Sequence, residues 1–169
     1  MNLKNCLQIV MILILMFSSM SVIAGDTNPK PRPFWGSFEG EVSFPLTEAC
    51  LDVTGVPFQT MSQTEGQMTH MGSTTFFTTH CSTPDGGSAV DGHAIFTAAN
   101  GDEVWANYFA VTVQPPPYIE QEITMVIYGG TGRFQNASGN LQGRIYIEFQ
   151  GFTDPGWPLE FFLMGSIIY

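Results

Sequence analysis

The stretch "IYGGTGRFQNASG", residues 127–139, places three glycines within four positions and so poses a choice between a phosphate-binding loop and a tight turn. A P-loop needs a lysine and a serine or threonine after its glycines, and a dinucleotide fingerprint opens a helix within a βαβ unit. Here one strand-like run ends at the glycines, another follows at 139–150, and no helical pattern lies between them. The spacing Gly130-x-Gly132 is therefore weak evidence for a nucleotide. We interpret the glycines as residues that permit positive φ in a chain reversal.

The rest of the chain alternates between runs rich in Phe, Tyr, Val, Ile and Thr and breaks rich in Gly, Pro, Asn and Asp, which predicts strands joined by turns. Apolar residues recur at every second position, and no sustained period of 3.6 indicates a long helix. Residues 45–64 form one long connection, which has room for a further strand or a short helix. The predicted strands are 34–44, 65–79, 88–98, 103–113, 119–128, 139–150 and 159–169.

Strands with one apolar and one polar face fit an antiparallel sheet closed on itself. The sequence therefore predicts an all-β fold, an antiparallel β-barrel of about eight strands or a sandwich. Glycines inside the strands favour the barrel, because sharply coiled strands need residues without side chains at their bends. In a barrel, Phe134 would close one end, and Arg133 would bond nearby carbonyls or an acid.

The N-terminus has the pattern of a secretory signal peptide, with Lys4, an apolar run over 7–17 and small residues before Gly25. The run is shorter than the ~20 residues that a membrane helix needs. We predict a signal peptide over 1–24, an extended Pro-rich leader over 25–33 and a β-barrel domain over 34–169, in a secreted or periplasmic protein. Removing Lys4 takes the net charge from −10 to −11, which disfavours nucleic acid as a partner.

Two cysteines remain in the exported chain, Cys50 and Cys81. In an oxidising compartment a pair is most simply a disulfide bond. Two free thiols, or one catalytic cysteine, are the alternative interpretation.

The glycine stretch is similar to the Gly-Gly-Thr-Gly-x-Phe-x-x-Ala-x-Gly signature of the allene oxide cyclase and dirigent barrels. "GDEVWANYFA" and "LEFFLMGSIIY" resemble the strand before the motif and the last strand of the cyclases, so the likeness is specific over about 100–169. It implies an eight-stranded barrel with an apolar lumen, often assembled as a homotrimer. It implies no activity, because the signature is structural, and no catalytic residue can be carried over. The matching residues are Gly129, Gly130, Thr131, Gly132, Phe134, Ala137 and Gly139.

Several polar and aromatic residues are candidates for a ligand site inside such a barrel. Asn107 lies between Trp105 and Phe109 on one face of a strand, where an amide among aromatic rings would orient a ligand. His93 shares a face with Ile95 and would be a polar handle or a general base. Glu39 and Glu41 are better explained as solvated outer-face residues. The predicted ligand-binding set is His70, His93, Trp105, Asn107, Phe109 and Met125.

The histidines fall on separate segments without a His-x-His pair, so we expect no metal, and nothing in the sequence calls for a cofactor. Asn136-Ala137-Ser138 matches a glycosylation sequon, but lies where the same residues form the turn. The functional prediction is a secreted barrel that binds a small apolar molecule in its lumen. The alternatives are a cofactor-free cyclase or isomerase of an apolar substrate, and a structural secreted domain whose lumen is filled by its own side chains.

Overall fold

The computed structural model describes residues 29–151 and 156–169, which form a closed barrel of eight antiparallel strands. Each strand pairs with the next along the chain, and the last pairs with the first. The predicted antiparallel β-barrel of about eight strands is confirmed. The strands are β1 (Arg32–Ser43), β2 (Gln59–Met68), β3 (Gly72–Ser82), β4 (Ser88–Ala98), β5 (Glu103–Gln114), β6 (Tyr118–Gly130), β7 (Ser138–Glu148) and β8 (Trp157–Ile168).

The predicted signal peptide, 1–24, lies outside the described residues, as does the first part of the leader. β1 begins at Arg32, two residues before the predicted start of the barrel domain. Within the described ranges, no helix has the length and apolar character needed to cross a membrane.

The strand predicted at 65–79 is wrong, because the chain reverses within it. β2 and β3 form a hairpin whose turn contains His70 at a φ of 67° and is followed by Gly72 at a φ of 74°. The long connection at 45–64 carries both of the elements for which it had room. It contains helix α1 (Glu48–Thr54) and then the first part of β2. Thr47 caps α1 by accepting a hydrogen bond from the Ala49 amide, and Gly55 ends it at a φ of 78°.

The two ends of the barrel differ in how they are closed. The turns at 69–71, 99–102 and 131–137 lie at one end, called here the motif end. The connections at 44–58, 83–87 and 115–117 lie at the other, called the helix end.

The glycine stretch forms the closure of the motif end. A short 3₁₀ helix (Gly132–Phe134) follows β6, and the Phe134 ring is fully buried, 4.8 Å from the ring of Tyr169. The Arg133 guanidinium donates to the His70 carbonyl and lies 3.7 Å from the Asp102 carboxylate. The predicted roles of both residues in the turn are confirmed.

The middle of the lumen is filled by side chains. The rings of Phe76 and Phe96 stack with centroids 4.2 Å apart, and the Phe38 ring packs against both. All three side chains are at most 1% exposed, so water has almost no access to them. A barrel of eight strands is just wide enough for its own side chains to fill it. The centre of this lumen therefore holds no room for a ligand.

The predicted disulfide between Cys50 and Cys81 is present, with Cα atoms 5.3 Å apart. Cys50 is the buried residue of α1, and Cys81 lies near the end of β3. The bond holds α1 against β3 and β4 at the helix end. A disulfide fits a protein that matures in an oxidising compartment.

Candidate functional site

One wall of the lumen is polar, in contrast to the aromatic centre. Hydroxyl-bearing side chains alternate along the inner faces of the hairpin β2–β3, and they bond across it: the Thr60 hydroxyl lies 2.7 Å from that of Ser82. Every buried side-chain nitrogen and oxygen in the described part of the chain has a hydrogen-bond partner. The buried polar residues of this wall are Thr60, Ser62, Thr64, Thr74, Thr78 and His80.

Three of these side chains and Tyr108 lie in a row, Ser62, Thr78, Tyr108 and His80, which we call the relay. The hydroxyls of Ser62 and Thr78 are 2.5 Å apart, and Thr78 also lies close enough to the Tyr108 hydroxyl to lower its pKa. The Tyr108 hydroxyl lies 2.7 Å from Nδ1 of His80. The two rings meet edge to face, with centroids 5.7 Å apart. The relay thus ends on an imidazole ring on the inner side of β3.

Burial keeps both ring groups of this relay uncharged at neutral pH. Desolvation lowers the pKa of His80 from 6.5 to about 4. Desolvation also raises the pKa of the Tyr108 hydroxyl above its ordinary value, against an opposing effect of the Thr78 hydrogen bond. The site is therefore a neutral imidazole beside a neutral phenol.

Two irregularities of the sheet bring His80 and Tyr108 together. The register of β3 with β4 shifts between Thr79 and Cys81, and that of β4 with β5 shifts between Ala89 and Gly92. A Cβ on Gly92 would lie 2.8 Å from ring atoms of Tyr108, so the missing side chain leaves the space that this ring occupies. Bulges of this kind re-aim side chains and are frequent beside functional sites.

The residues around this pair are buried, but slightly less completely than those at the centre. His80 and Gln121 are each 9% exposed and Tyr108 is 7% exposed, whereas Phe76 and Phe96 are not exposed at all. His80, Tyr108 and Gln121 lie in the part of the lumen toward the helix end. We call it the mouth, and it comprises Thr60, His80, Tyr108, Gln121 and Ile147.

Four of the sequence-predicted site residues lie on the outer wall, so their predicted lumen positions are wrong. Asn107, Phe109 and His93 are exposed, and Trp105 is partly exposed with its indole N–H donating to Glu103. Asn107 and His93 do meet, with Oδ1 of the amide 3.0 Å from Nδ1 of the imidazole. β5 instead turns its smaller residues and Tyr108 inward, because a narrow barrel has little room: Val104, Ala106, Tyr108 and Ala110 face the lumen.

The other two predicted residues are also apart from one another. His70 lies in the β2–β3 turn at the motif end, with Nε2 3.0 Å from the Pro33 carbonyl. Met125 does face the lumen and is fully buried in the packed core. Glu39 and Glu41 are exposed on the outer face of β1, as interpreted from the sequence.

Two open hollows lie on the outer wall, with volumes of about 500 and 570 Å³. Both border Glu39 and Gly40, one beside β2 and the other beside β7 and β8. Across residues 29–151 and 156–169, no three His, Cys, Asp or Glu side chains converge as metal ligands.

His80 and Tyr108 were missed as a pair from the sequence. The signal was present in "TMSQT" and "TTFFTTH", where serine, threonine and histidine alternate at the positions that β2 and β3 turn inward. Such alternation predicts a polar lumen wall only once the strands and their inner faces are known.

No protein-family model matches the chain, and no curated protein matches it. Among solved structures, it is similar to that of a pterocarpan synthase dirigent protein, with 17% identity over 90% of this chain and 96% of that chain and a TM-score of 0.49. At this identity the likeness concerns the course of the chain and not its chemistry.

Proposed function

We propose that this protein is an exported barrel that binds a small, largely apolar molecule at its mouth, with His80 as the hydrogen-bonding group. One observation carries the proposal. The buried His80–Tyr108 pair keeps a slight exposure toward the helix end, while the large side chains of the centre have almost none. We therefore place the ligand site at one end of the lumen and not in its middle, where the sequence had led us to expect it.

The composition of the mouth supports a small-molecule site. Ile147 and the Tyr108 ring supply apolar surface, and His80 supplies a polar atom beside it. Sites for small molecules combine a mostly apolar lining with a few fixed polar groups that orient the ligand. The relay behind His80 fixes its ring, so the polar group is preorganised and loses little freedom on binding.

Binding is better supported than a cyclase or isomerase activity. A general acid or base works best when its pKa lies near the working pH. The pKa of His80 is lowered to about 4, and that of Tyr108 is raised above its ordinary value. Both groups then exchange protons poorly at neutral pH, although both still form hydrogen bonds. The filled centre of the lumen is also compatible with the third candidate, a purely structural domain. A binding experiment must therefore distinguish a structural domain from a binding protein.

A fluorescence titration with 6-propionyl-2-(dimethylamino)naphthalene, a neutral apolar ketone, tests the proposal. We expect saturable binding to the wild type and affinity lower by about fivefold in His80→Leu, the equivalent of the ~1 kcal/mol of one hydrogen bond. His93→Leu is the matched control, because His93 is exposed on the outer wall. Absence of saturable binding to the wild type would leave the structural domain as the better account.

The assembly proposed for this barrel is a homotrimer, as the motif resemblance implies. Large apolar side chains are exposed on the outer surface of β4, β5 and β6, called here the β4–β6 wall. Large exposed apolar side chains in one region of an exported protein are typical of a contact between subunits. The wall comprises Ile95, Phe109, Val111, Val126 and Tyr128.

A further inference from the structure

We infer that the relay fixes which nitrogen of His80 carries the proton, so that the mouth offers a single N–H donor and selects neutral molecules with an acceptor oxygen. A ketone, an ester or an ether would satisfy it, whereas a donor-only group such as an ammonium would not. This inference rests on the proposed function, since it names the chemistry of the ligand at the same site.

The direction of the relay follows from counting its donors. If the Tyr108 hydroxyl donates to Nδ1 of His80, Thr78 can donate toward Tyr108 and Ser62 can donate to Thr78. Each hydroxyl proton then has an acceptor inside the relay. Nδ1 is an acceptor in this arrangement, so the proton of the neutral imidazole lies on Nε2.

The opposite direction leaves a buried donor without an acceptor. In the opposite case Nδ1–H donates to Tyr108. The Tyr108 proton must then turn toward Thr78 and the Thr78 proton toward Ser62, so the Ser62 hydroxyl must donate to a group outside the relay. Ser62 is 4% exposed, and its bond to Thr78 is the side-chain hydrogen bond that the described residues give it. A buried donor without a partner costs about as much as a lost hydrogen bond, so the first direction is favoured.

The Nε2–H of His80 faces the mouth. Nδ1 is bonded to Tyr108, and the hydrogen bonds of the described residues include none to Nε2. Since all buried side-chain nitrogens and oxygens in those ranges have partners, Nε2 must be reachable by solvent. The reachable side of His80 is therefore the mouth, where a ligand oxygen can accept from Nε2–H.

The position of this proton determines which ligand groups the site can bind. An acceptor oxygen on a neutral molecule completes the relay with one more hydrogen bond. An ammonium would place donor against donor, and it would bring an unpaired charge to a largely buried site, which is costly. A hydrocarbon would leave the Nε2–H without a partner once water is displaced.

Long-range ¹H–¹⁵N NMR on labelled residues 25–169 tests the tautomer without any ligand. We expect His80 to show the pattern of the Nε2–H form at pH 7, and Tyr108→Phe to give a mixture of both forms because Nδ1 loses its donor. The exposed His93, which bonds Asn107 on the outer wall, is an internal reference in the same spectra. An Nδ1–H form of His80 in the wild type overturns the inference.

The selectivity is tested with two probes of matched shape, the naphthyl ketone named above and its analogue with a propyl group in place of propionyl. We expect the wild type to bind the ketone at least fivefold more tightly, and His80→Leu to bind both alike. Equal affinities in the wild type overturn the inference but leave the proposed function standing. If neither probe binds while His80 is in the Nε2–H form, the proposed function fails, and the selectivity fails with it.

Discussion

Two neighbouring glycines in the motif meet very different surroundings. A Cβ on Gly130 would lie 2.1 Å from the Glu103 carbonyl oxygen, whereas one on Gly129 would lie 3.5 Å from the ring of Trp105. The first position has no space for a methyl group, and its neighbour is backbone that cannot move away cheaply. The second position makes an ordinary van der Waals contact.

We therefore predict that Gly130→Ala lowers the free energy of unfolding by roughly 1–3 kcal/mol, as overpacking does. Gly129→Ala is the matched control and should change it by less than about 1 kcal/mol. Urea denaturation followed by fluorescence measures both. Equal losses in the two variants would contradict the close approach of β5 to Gly130.

The lowered pKa of His80 gives the stability a defined pH dependence. Its pKa is about 4 in the folded protein and 6.5 in an unfolded chain, so below pH 6.5 the unfolded state binds a proton that the folded state does not. Stability from this residue is complete above pH 6.5, falls between about pH 6.5 and 4, and is constant below. The full loss is about 3 kcal/mol.

The measurement is urea denaturation at a series of pH values from 7 to 4. His80→Gln should remove this component of the slope, and the exposed His93→Gln should retain it. A slope unchanged by His80→Gln would show that His80 is not buried as described.

The residues of the mouth could not be predicted from the sequence, although the motif residues could. Both faces of β5 carry apolar side chains, so the alternation separates the faces without saying which one points inward. Side-chain size would place Trp105 and Phe109 inside, because they are the largest apolar residues of β5, yet both lie on the outer wall. The interior volume of the closed barrel decides which face of β5 points inward. That volume depends on all eight strands together, so the sequence of one strand does not determine it. Phe134 and Arg133 were predictable because their roles follow from a local turn.

At the scale of the elements, the strands were mostly predictable, and the β2–β3 hairpin was the exception. Its turn, "THM", contains neither proline nor an Asn-Gly pair, so the β pattern continues through it. The turn instead depends on His70 in the left-handed region and on the Thr69 amide bonding the Trp35 carbonyl in β1. A contact to another strand cannot be inferred from a local pattern.

The disulfide is predicted to stabilise the barrel by tying α1 to β3. The chain-entropy model gives roughly 3–4 kcal/mol for a closed loop of about 30 residues. Replacing Cys50 and Cys81 together by serine should lower the free energy of unfolding by that amount, with β-sheet circular dichroism retained. Intact mass with and without reductant gives the control, and alkylatable thiols in the unreduced wild type would contradict the bond.

At the scale of the whole molecule, the assembly depends on the β4–β6 wall. If it is a subunit contact, Phe109→Lys should reduce the molar mass measured by light scattering from that of a trimer to that of a monomer. Met164→Lys is the control, because Met164 is 67% exposed on β8, away from this wall. A monomeric wild type, or an unchanged mass in the Phe109 variant, would contradict the assignment.

We propose that the ligand site lies at the mouth and not on the outer wall or in the centre of the barrel. The most direct test is to map amide shift changes in ¹⁵N-labelled residues 25–169 on titration with the naphthyl ketone. We expect saturating changes centred on Thr60, His80, Tyr108, Gln121 and Ile147. Changes centred on His93 and Asn107, or no saturating changes at all, would contradict it.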